Sequence, residues 1–278
     1  MFKRKNRISI KISPSRDSKN IKKHIRPNTK LVHVETPTNP LLELCDLQET
    51  SKICKEAGVL LSVDNTFMSP YGQRPLEYGV DIVMQSSTKS LSGHSDILGG
   101  VLTTNNDDLG DRIRFMLKAT GGVPSPFDNW ILLRSVKTLS LRYQKSSENA
   151  LKLAQWLSTD YDLKRVIYPG LDSHPQFEIA KKQQFTPNGN NIFGNMISID
   201  VGKIDIRDKF LEKLKVITLA ESLGGVESLC CVPYDMTHAA VPVENKIKMG
   251  ITETLIRLSI GIEDFEDLKG DLQNALAK

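Results

Sequence analysis

Acidic residues are nearly missing from the first 28 positions of this chain, which hold ten Lys or Arg against the single acid Asp17. That head carries +9, and because the whole chain carries +4, the remaining body is mildly acidic at −5. A basic head can be an anion-binding arm, a transit segment or a solvated chain end. It is Lys-rich rather than Arg-rich and has no aromatic residue after Phe2 to interleave with the charges. The solvated end is the reading adopted, and no nucleic-acid partner is expected. Cysteine is scarce: Cys45, Cys54, Cys230 and Cys231 show no zinc-like C-x-x-C spacing and suit reduced, packed thiols of a cytoplasmic protein. The five histidines include no H-x-x-x-H pair, so His94 and His238 are read as structural and no metal is expected. No apolar run approaches the roughly 18 residues of a membrane span. There is no secretory h-region, internal repeat or low-complexity segment, so no membrane partner is expected either.

What is present is an alternation of strand-like and helix-like segments in 278 residues, 39% hydrophobic and 25% charged, the profile of a globular chain with one large or two smaller domains. Leu31-Val32-His33-Val34 is a short strand stopped by Glu35-Thr36-Pro37. Asp46 with Glu49 forms an Asp version of a capping box, and the helix that follows ends at Gly58. The runs 59–63, 81–84 and 100–104 read as further strands. Near-continuous apolar strands separated by helices predict a parallel sheet covered on both faces. A helical stretch without proline is predicted over 127–158. Tyr168-Pro169-Gly170 breaks it. Strands at 195–200, 216–219 and 255–260 and helices at 206–214 and 264–276 then predict a smaller second α/β domain.

Ser86-Ser87-Thr88-Lys89 follows the third strand, and Asp64 ends the second. A lysine behind two hydroxyls is a candidate Schiff-base lysine for pyridoxal 5′-phosphate (PLP). Asp64 would keep the pyridine nitrogen protonated, and Ser86 and Thr88 would donate hydroxyls to the phosphate. An ordinary loop lysine satisfies the same pattern. The stronger argument is convergence: 36–40, 64–66 and 86–89 all lie at carboxyl ends of strands, where open α/β sheets bind ligands. Arg257 alternates with apolar neighbours and is either a clamp for a substrate carboxylate or a half-exposed strand arginine. Asn39, between Pro37 and Pro40, can hydrogen-bond a cofactor's phenolic oxygen or simply make a turn. Glu221-Ser222-Leu223-Gly224-Gly225 can line a pocket or turn the chain.

Taken together, these motifs resemble the PLP-dependent enzymes of cysteine and methionine metabolism. The resemblance rests on Glu35-Thr36-Pro37-Thr38-Asn39-Pro40, Val63-Asp64-Asn65-Thr66-Phe67, Ser86-Ser87-Thr88-Lys89 with Gly93-His94-Ser95-Asp96, and Ala220-Glu221-Ser222-Leu223-Gly224-Gly225. Tyr168-Pro169-Gly170-Leu171 with Ser173-His174-Pro175 and Arg257-Leu258-Ser259-Ile260-Gly261-Ile262-Glu263-Asp264 belong to the same set. It implies the fold-type I, aspartate-aminotransferase-like α/β fold. The expected division is a basic segment outside the match at 1–28, a partial PLP-binding large domain at 29–142 and a small C-terminal α/β domain with its connecting helix at 143–278. It implies Lys89 as imine lysine and proton shuttle, Asp64 at the ring nitrogen, and Ser86 and Thr88 at the phosphate. Asn39 falls near the ring hydroxyl and the substrate carboxylate, Arg257 on the substrate carboxylate, and Ser222 beside it. Glu221 matches a position typical of the cystathionine-using branch. The implied reaction is α,γ-elimination of L-cystathionine to cysteine, 2-oxobutanoate and ammonia by a homotetramer of shared active sites.

The family's chains begin upstream of the segment matching Lys30. Their phosphate-cradling helix start, ring-stacking tyrosine and the tyrosine and arginine lent to a neighbouring subunit have no counterpart in residues 1–29. The resemblance therefore implies an N-terminally truncated member with impaired activity, with a cystathionine γ-synthase or methionine γ-lyase type of enzyme as the alternatives. An inactive fragment or non-catalytic subunit is the alternative outside enzymes.

Overall fold

The computed structural model describes residues 16–277. The chain opens with α1 (Ser18–His24), capped by Asp17, whose carboxylate accepts from Lys19 N at 2.9 Å. β1 (Leu31–Glu35), α2 (Leu47–Glu56) and β2 (Leu60–Asp64) follow, then α3 (Ser69–Gly72) and β3 (Ile82–Ser86). The N-cap half of the expected capping box is formed: Asp46 Oδ1 accepts from Glu49 N at 3.0 Å, a contact worth about 1 kcal/mol. Leu47, Ile53 and Cys54 on α2 pack with Ile21, Val34, Leu61, Val63 and Val83 in one buried cluster. Each large apolar side chain there contributes about 1.5–3 kcal/mol by leaving water.

β1, β2 and β3 pair in parallel, with Glu35 opposite Asp64 in the register. β4 (Gly100–Thr103) joins β3 antiparallel, and all four of its residues are exposed. The expectation of an all-parallel sheet covered on both faces thus fails at its fourth strand. The reason is the connection: residues 87–99 hold only a short turn and no crossover helix, so the chain returns beside β3 in the opposite sense. α4 (Asp107–Thr120) and α5 (Pro126–Ser135) continue, with Phe115, Phe127, Trp130 and Leu133 exposed.

The predicted single helix over 127–158 is two: α5 ends, a 3₁₀ turn spans Val136–Thr138, and α6 (Leu139–Asp160) begins. Along α6, Ala150, Leu153, Ala154 and Leu157 recur at helical spacing and are fully buried. They face the second sheet, built from β5 (Arg165–Ile167), β6 (Met196–Asp200), β7 (Thr218–Leu219), β8 (Leu229–Cys231) and β9 (Leu255–Ser259), in the order β5-β6-β9-β8-β7. α7 (Phe177–Gln183), α8 (Ile204–Lys213), α9 (Val243–Met249) and α10 (Phe265–Leu276) complete the chain. Phe210 of α8 and Leu268 and Leu272 of α10 close this second core over Ile197, Ile199, Ile256 and Leu258. Among the described residues no helix is long and apolar enough to cross a membrane, no His/Cys/Asp/Glu cluster could hold a metal ion, and all four cysteines are free and buried.

The period of two along β9 orients the site. Ile256 and Leu258 face the apolar core, so Leu255, Arg257 and Ser259 face the other way. On that face Ser198, paired with Arg257 in the register, donates to Pro40 O at 2.6 Å, and Ser259 Oγ accepts from Gly224 N at 2.8 Å. The polar face of the second sheet therefore closes over the carboxyl ends of the first.

Candidate active site

Three strand ends build the floor. After β1 the chain turns through Thr36–Pro37 and Asn39–Pro40, both cis, held by Thr36 Oγ1 accepting from Cys45 N at 3.0 Å and by Leu42 N donating to Thr38 O at 2.8 Å. At the end of β2, Asp64 Oδ1 accepts from Thr66 N at 2.9 Å, and Thr66 Oγ1 accepts from Ser86 N at 2.9 Å, tying the tips of β2 and β3 together. After β3 the chain enters a single wide π-type turn over Ser87–Leu91, closed by Ser92 N donating to Ser87 O at 3.0 Å, in which Lys89 departs from helical backbone angles, with φ −90° and ψ −133°. Thr88 is fixed beside it: Thr88 Oγ1 accepts from Gly99 N at 3.0 Å.

The roof comes from the second sheet. Lys89 Nζ donates to Ser222 Oγ at 3.1 Å. Arg257 Nη2 donates to Ser222 O at 2.8 Å, and Arg257 Nη1 donates to Asn39 Oδ1 at 2.9 Å. Asn39 N in turn donates to Glu35 Oε1 at 3.2 Å. Residues far apart in sequence thus form one run: Lys89, Ser222, Arg257, Asn39, Glu35. Ser222 sits at φ +81°, backbone that a non-glycine residue holds only when its surroundings impose it. Glu221 next to it is exposed and acts on Lys89 and Arg257 through its charge.

The electrostatics follow from enclosure. Burial, then the nearby Arg257 charge, holds the Lys89 amine below the usual lysine range, against an upward pull from Glu221. Burial also lowers Arg257, which is 2% exposed. Glu35 is pushed up from 4.5 to about 7, first by burial and then by the Asp64 carboxylate across the β1–β2 pair. His238 is half-buried and depressed by burial and by Arg257, with Asn39's backbone pulling it the other way.

Of the residues the sequence singles out, Lys89, Ser222, Arg257 and Asn39 are joined directly by hydrogen bonds. Asp64, Ser86 and Thr88 lie at the strand ends beneath them, and Glu221 stands at the edge. Of the two readings open for Arg257, half-exposed strand residue is excluded by its burial. Sequence reasoning missed Glu35, although it begins the 35–40 motif, because a carboxylate ending a strand gives no hint of the second carboxylate beside it. It treated His238 as structural, with no signal to link it to Arg257.

A family model described as "Cys/Met metabolism PLP-dependent enzyme" matches residues 1–277, the basic head included. A cystathionine gamma-lyase of Bacillus subtilis is 50% identical over 256 residues, covering 92% of this chain and 66% of that protein. A cystathionine beta-lyase of Coxiella burnetii is 45% identical over 277 residues, covering 99% of this chain and 70% of the relative. The crystal structure of cystathionine gamma-lyase from Lactobacillus plantarum, complexed with L-serine, superposes with a TM-score of 0.91 at 41% identity, covering 95% of this chain and 68% of that one. The chain thus spans about two thirds of the length of these relatives. Fold, strand-end lysine and aspartate, and sequence similarity along nearly the whole chain converge: this chain belongs to the Cys/Met metabolism PLP-dependent enzyme family.

Proposed function

We propose that this site performs PLP-dependent α,γ-elimination of L-cystathionine, giving cysteine, 2-oxobutanoate and ammonia with uptake of one water. The observation that carries this reading is the run Lys89–Ser222–Arg257–Asn39, in which the buried Arg257 Nε has no hydrogen-bond partner. A buried guanidinium with a free donor fits an anion, and the α-carboxylate of an amino acid is the anion this fork suits.

The residues present fit PLP. An amine held below its usual range is more often neutral and so more nucleophilic. The Ser87 hydroxyl is buried without a partner on the turn that also carries Thr88, so that turn has a donor to spare for a phosphate. Asp64 would accept from the ring nitrogen, Ser86 and Thr88 would hold the phosphate, and Asn39 would orient the ring oxygen and the substrate carboxylate. When bound, PLP supplies a ring that withdraws the electron pair left when a proton leaves Cα.

Lys89 Nζ takes that proton and, for cleavage at Cγ, removes a second from Cβ; cleavage at Cβ needs only the first. Its amine, on a four-carbon stem and held by one hydroxyl, can serve both carbons. Arg257 and Asn39 fix the carboxylate so that Cα stays within reach of Lys89. Glu221, at the edge of the site, favours the distal ammonium of cystathionine. The proposal includes a cytoplasmic homotetramer, and sedimentation as a monomer at working concentration would remove that part.

Separating the oxo acids formed from L-cystathionine tests the reading. 2-Oxobutanoate with cysteine supports it. Pyruvate with homocysteine would assign β-cleavage instead, and equal traces from the chain and its Lys89→Ala variant would mean no catalysis at this site.

A further inference from the structure

Arg142 lies in the first turn of α6, outside the run that holds Lys89, yet its side chain reaches the Lys89 turn. It is 8% exposed, and among the described residues it forms no ion pair. An arginine buried without an anion is costly unless its N–H groups find other acceptors. Here Nη1 donates to Ser90 O at 2.8 Å, Nη2 to Leu91 O at 3.2 Å and Ser135 O at 3.0 Å, and Nε to Thr138 Oγ1 at 3.0 Å. Two of these acceptors are the carbonyls that directly follow Lys89. The turn stops there, because Gly93 N closes onto Lys89 O at 2.7 Å and no helix continues to use those carbonyls.

The neighbouring glycines show how closely the turn is held. A Cβ on Gly93, which has φ +72°, would fall 2.0 Å from Arg142 Nη1. A Cβ on Gly224, at φ +74°, would fall 2.8 Å from Ser90 N on the turn. Arg142 and the 222–224 loop thus both hold the segment from which Lys89 projects, and that loop also supplies the hydroxyl that receives the Lys89 amine.

We propose that Arg142 is a positioning residue that grips the two carbonyls after Lys89 and so sets the direction in which the Lys89 amine leaves its turn. The proposal rests on the reading of Lys89 as the imine-forming lysine. A side chain that merely staples α5 to α6 would need only the Ser135 and Thr138 contacts.

The test is borohydride trapping of PLP, in which each imine forms with loss of water and is reduced by hydride, followed by peptide mass mapping of which lysines carry the added group. The readout is the ratio of Lys89 labelling to labelling of all other lysines, taken across pH 6–9 on protein folded by circular dichroism. The full chain is expected to label chiefly at Lys89. Arg142→Met should lower that ratio about tenfold and move half-maximal labelling to higher pH. Arg142→Lys, which keeps one charged donor, should recover part of the loss. Gly93→Ala, which displaces the guanidinium, should resemble Arg142→Met. A folded Arg142→Met chain with unchanged ratio and pH profile would overturn the proposal and leave the Lys89 reading intact. If that variant does not fold, unchanged ratios in both Arg142→Lys and Gly93→Ala overturn it equally. Absence of preferential Lys89 labelling in the unsubstituted chain would overturn both readings.

Discussion

Replacing Glu35 with glutamine should make the cofactor-free protein more stable at pH 8 and leave it unchanged at pH 4.5. Glu35 ends β1 opposite Asp64, and burial followed by that neighbour raises it from 4.5 to about 7. The sign follows from linkage. Below about 4.5 the carboxyl is neutral in both folded and unfolded chains and has no effect. Between 4.5 and about 7 the unfolded chain ionises while the folded chain holds its proton, so stability falls as pH rises. Above about 7 the full cost is present, about 3 kcal/mol at roughly 1.36 kcal/mol for each pH step. Glutamine removes the titration and keeps the acceptor for Asn39 N, which Glu35 Oε1 now provides at 3.2 Å. Its amide group replaces a second negative charge beside Asp64 with a donor. Urea unfolding of both chains without PLP at pH 5, 6, 7 and 8 measures the difference, and the depressed histidines His174 and His238 cancel because both chains carry them. The curves should diverge steadily up to about pH 7 and then run parallel. A constant offset from pH 5 to pH 8 would refute the argument, since it would mean that Glu35 titrates alike in the folded and unfolded chains.

Gly224→Ala should impair the protein twice, through the φ of +74° and through a Cβ placed 2.8 Å from Ser90 N. A loss of about 1–3 kcal/mol is expected, visible as a lower urea midpoint at unchanged slope. Asp271→Ala should cost about 3 kcal/mol or more, because that carboxylate accepts from the backbone N–H groups of Lys215, Val216 and Ile217 at 2.8–3.0 Å; a midpoint unchanged within error would refute this. Arg257→Lys should raise KM for an amino-acid substrate by at least tenfold with a smaller effect on kcat, since an ammonium lacks the planar fork that donates to Asn39 Oδ1 and Ser222 O from separate nitrogens and leaves Nε for a carboxylate. Steady-state kinetics with equal KM values would remove Arg257 from carboxylate binding.

Much of this architecture is legible in the chain because residue type and place coincide. Asp46 with Glu49 announces a helix start, and the structure forms that cap. Lys89, Asp64 and Asn39 each follow an apolar run, and strands of a parallel sheet bring such ends together. The antiparallel return of β4 was hidden because strand direction depends on what fills residues 87–99, and a single π-type turn there leaves no periodicity to read. The break between α5 and α6 was hidden for a related reason: Val136–Thr138 contains no proline or glycine, so nothing in the residue types marks the 3₁₀ turn that separates the two helices.

Arg142 marks the deeper limit. Residues that hold a substrate are chosen for their chemistry, so an arginine, an aspartate or a lysine at a strand end advertises itself. A residue that positions another acts on backbone carbonyls, and every residue has one. Nothing in Ser90 or Leu91 tells the sequence that their carbonyls need a donor, and nothing in Leu141-Arg142-Tyr143 tells it that a charged side chain on a helix turns inward. The need exists only once the Lys89 turn has ended without a following helix and the first turn of α6 has been laid against it. The only trace in the chain is Gly93, whose missing side chain leaves the space that the guanidinium fills. Such sites are found by asking where the unpaired carbonyls of a functional turn go.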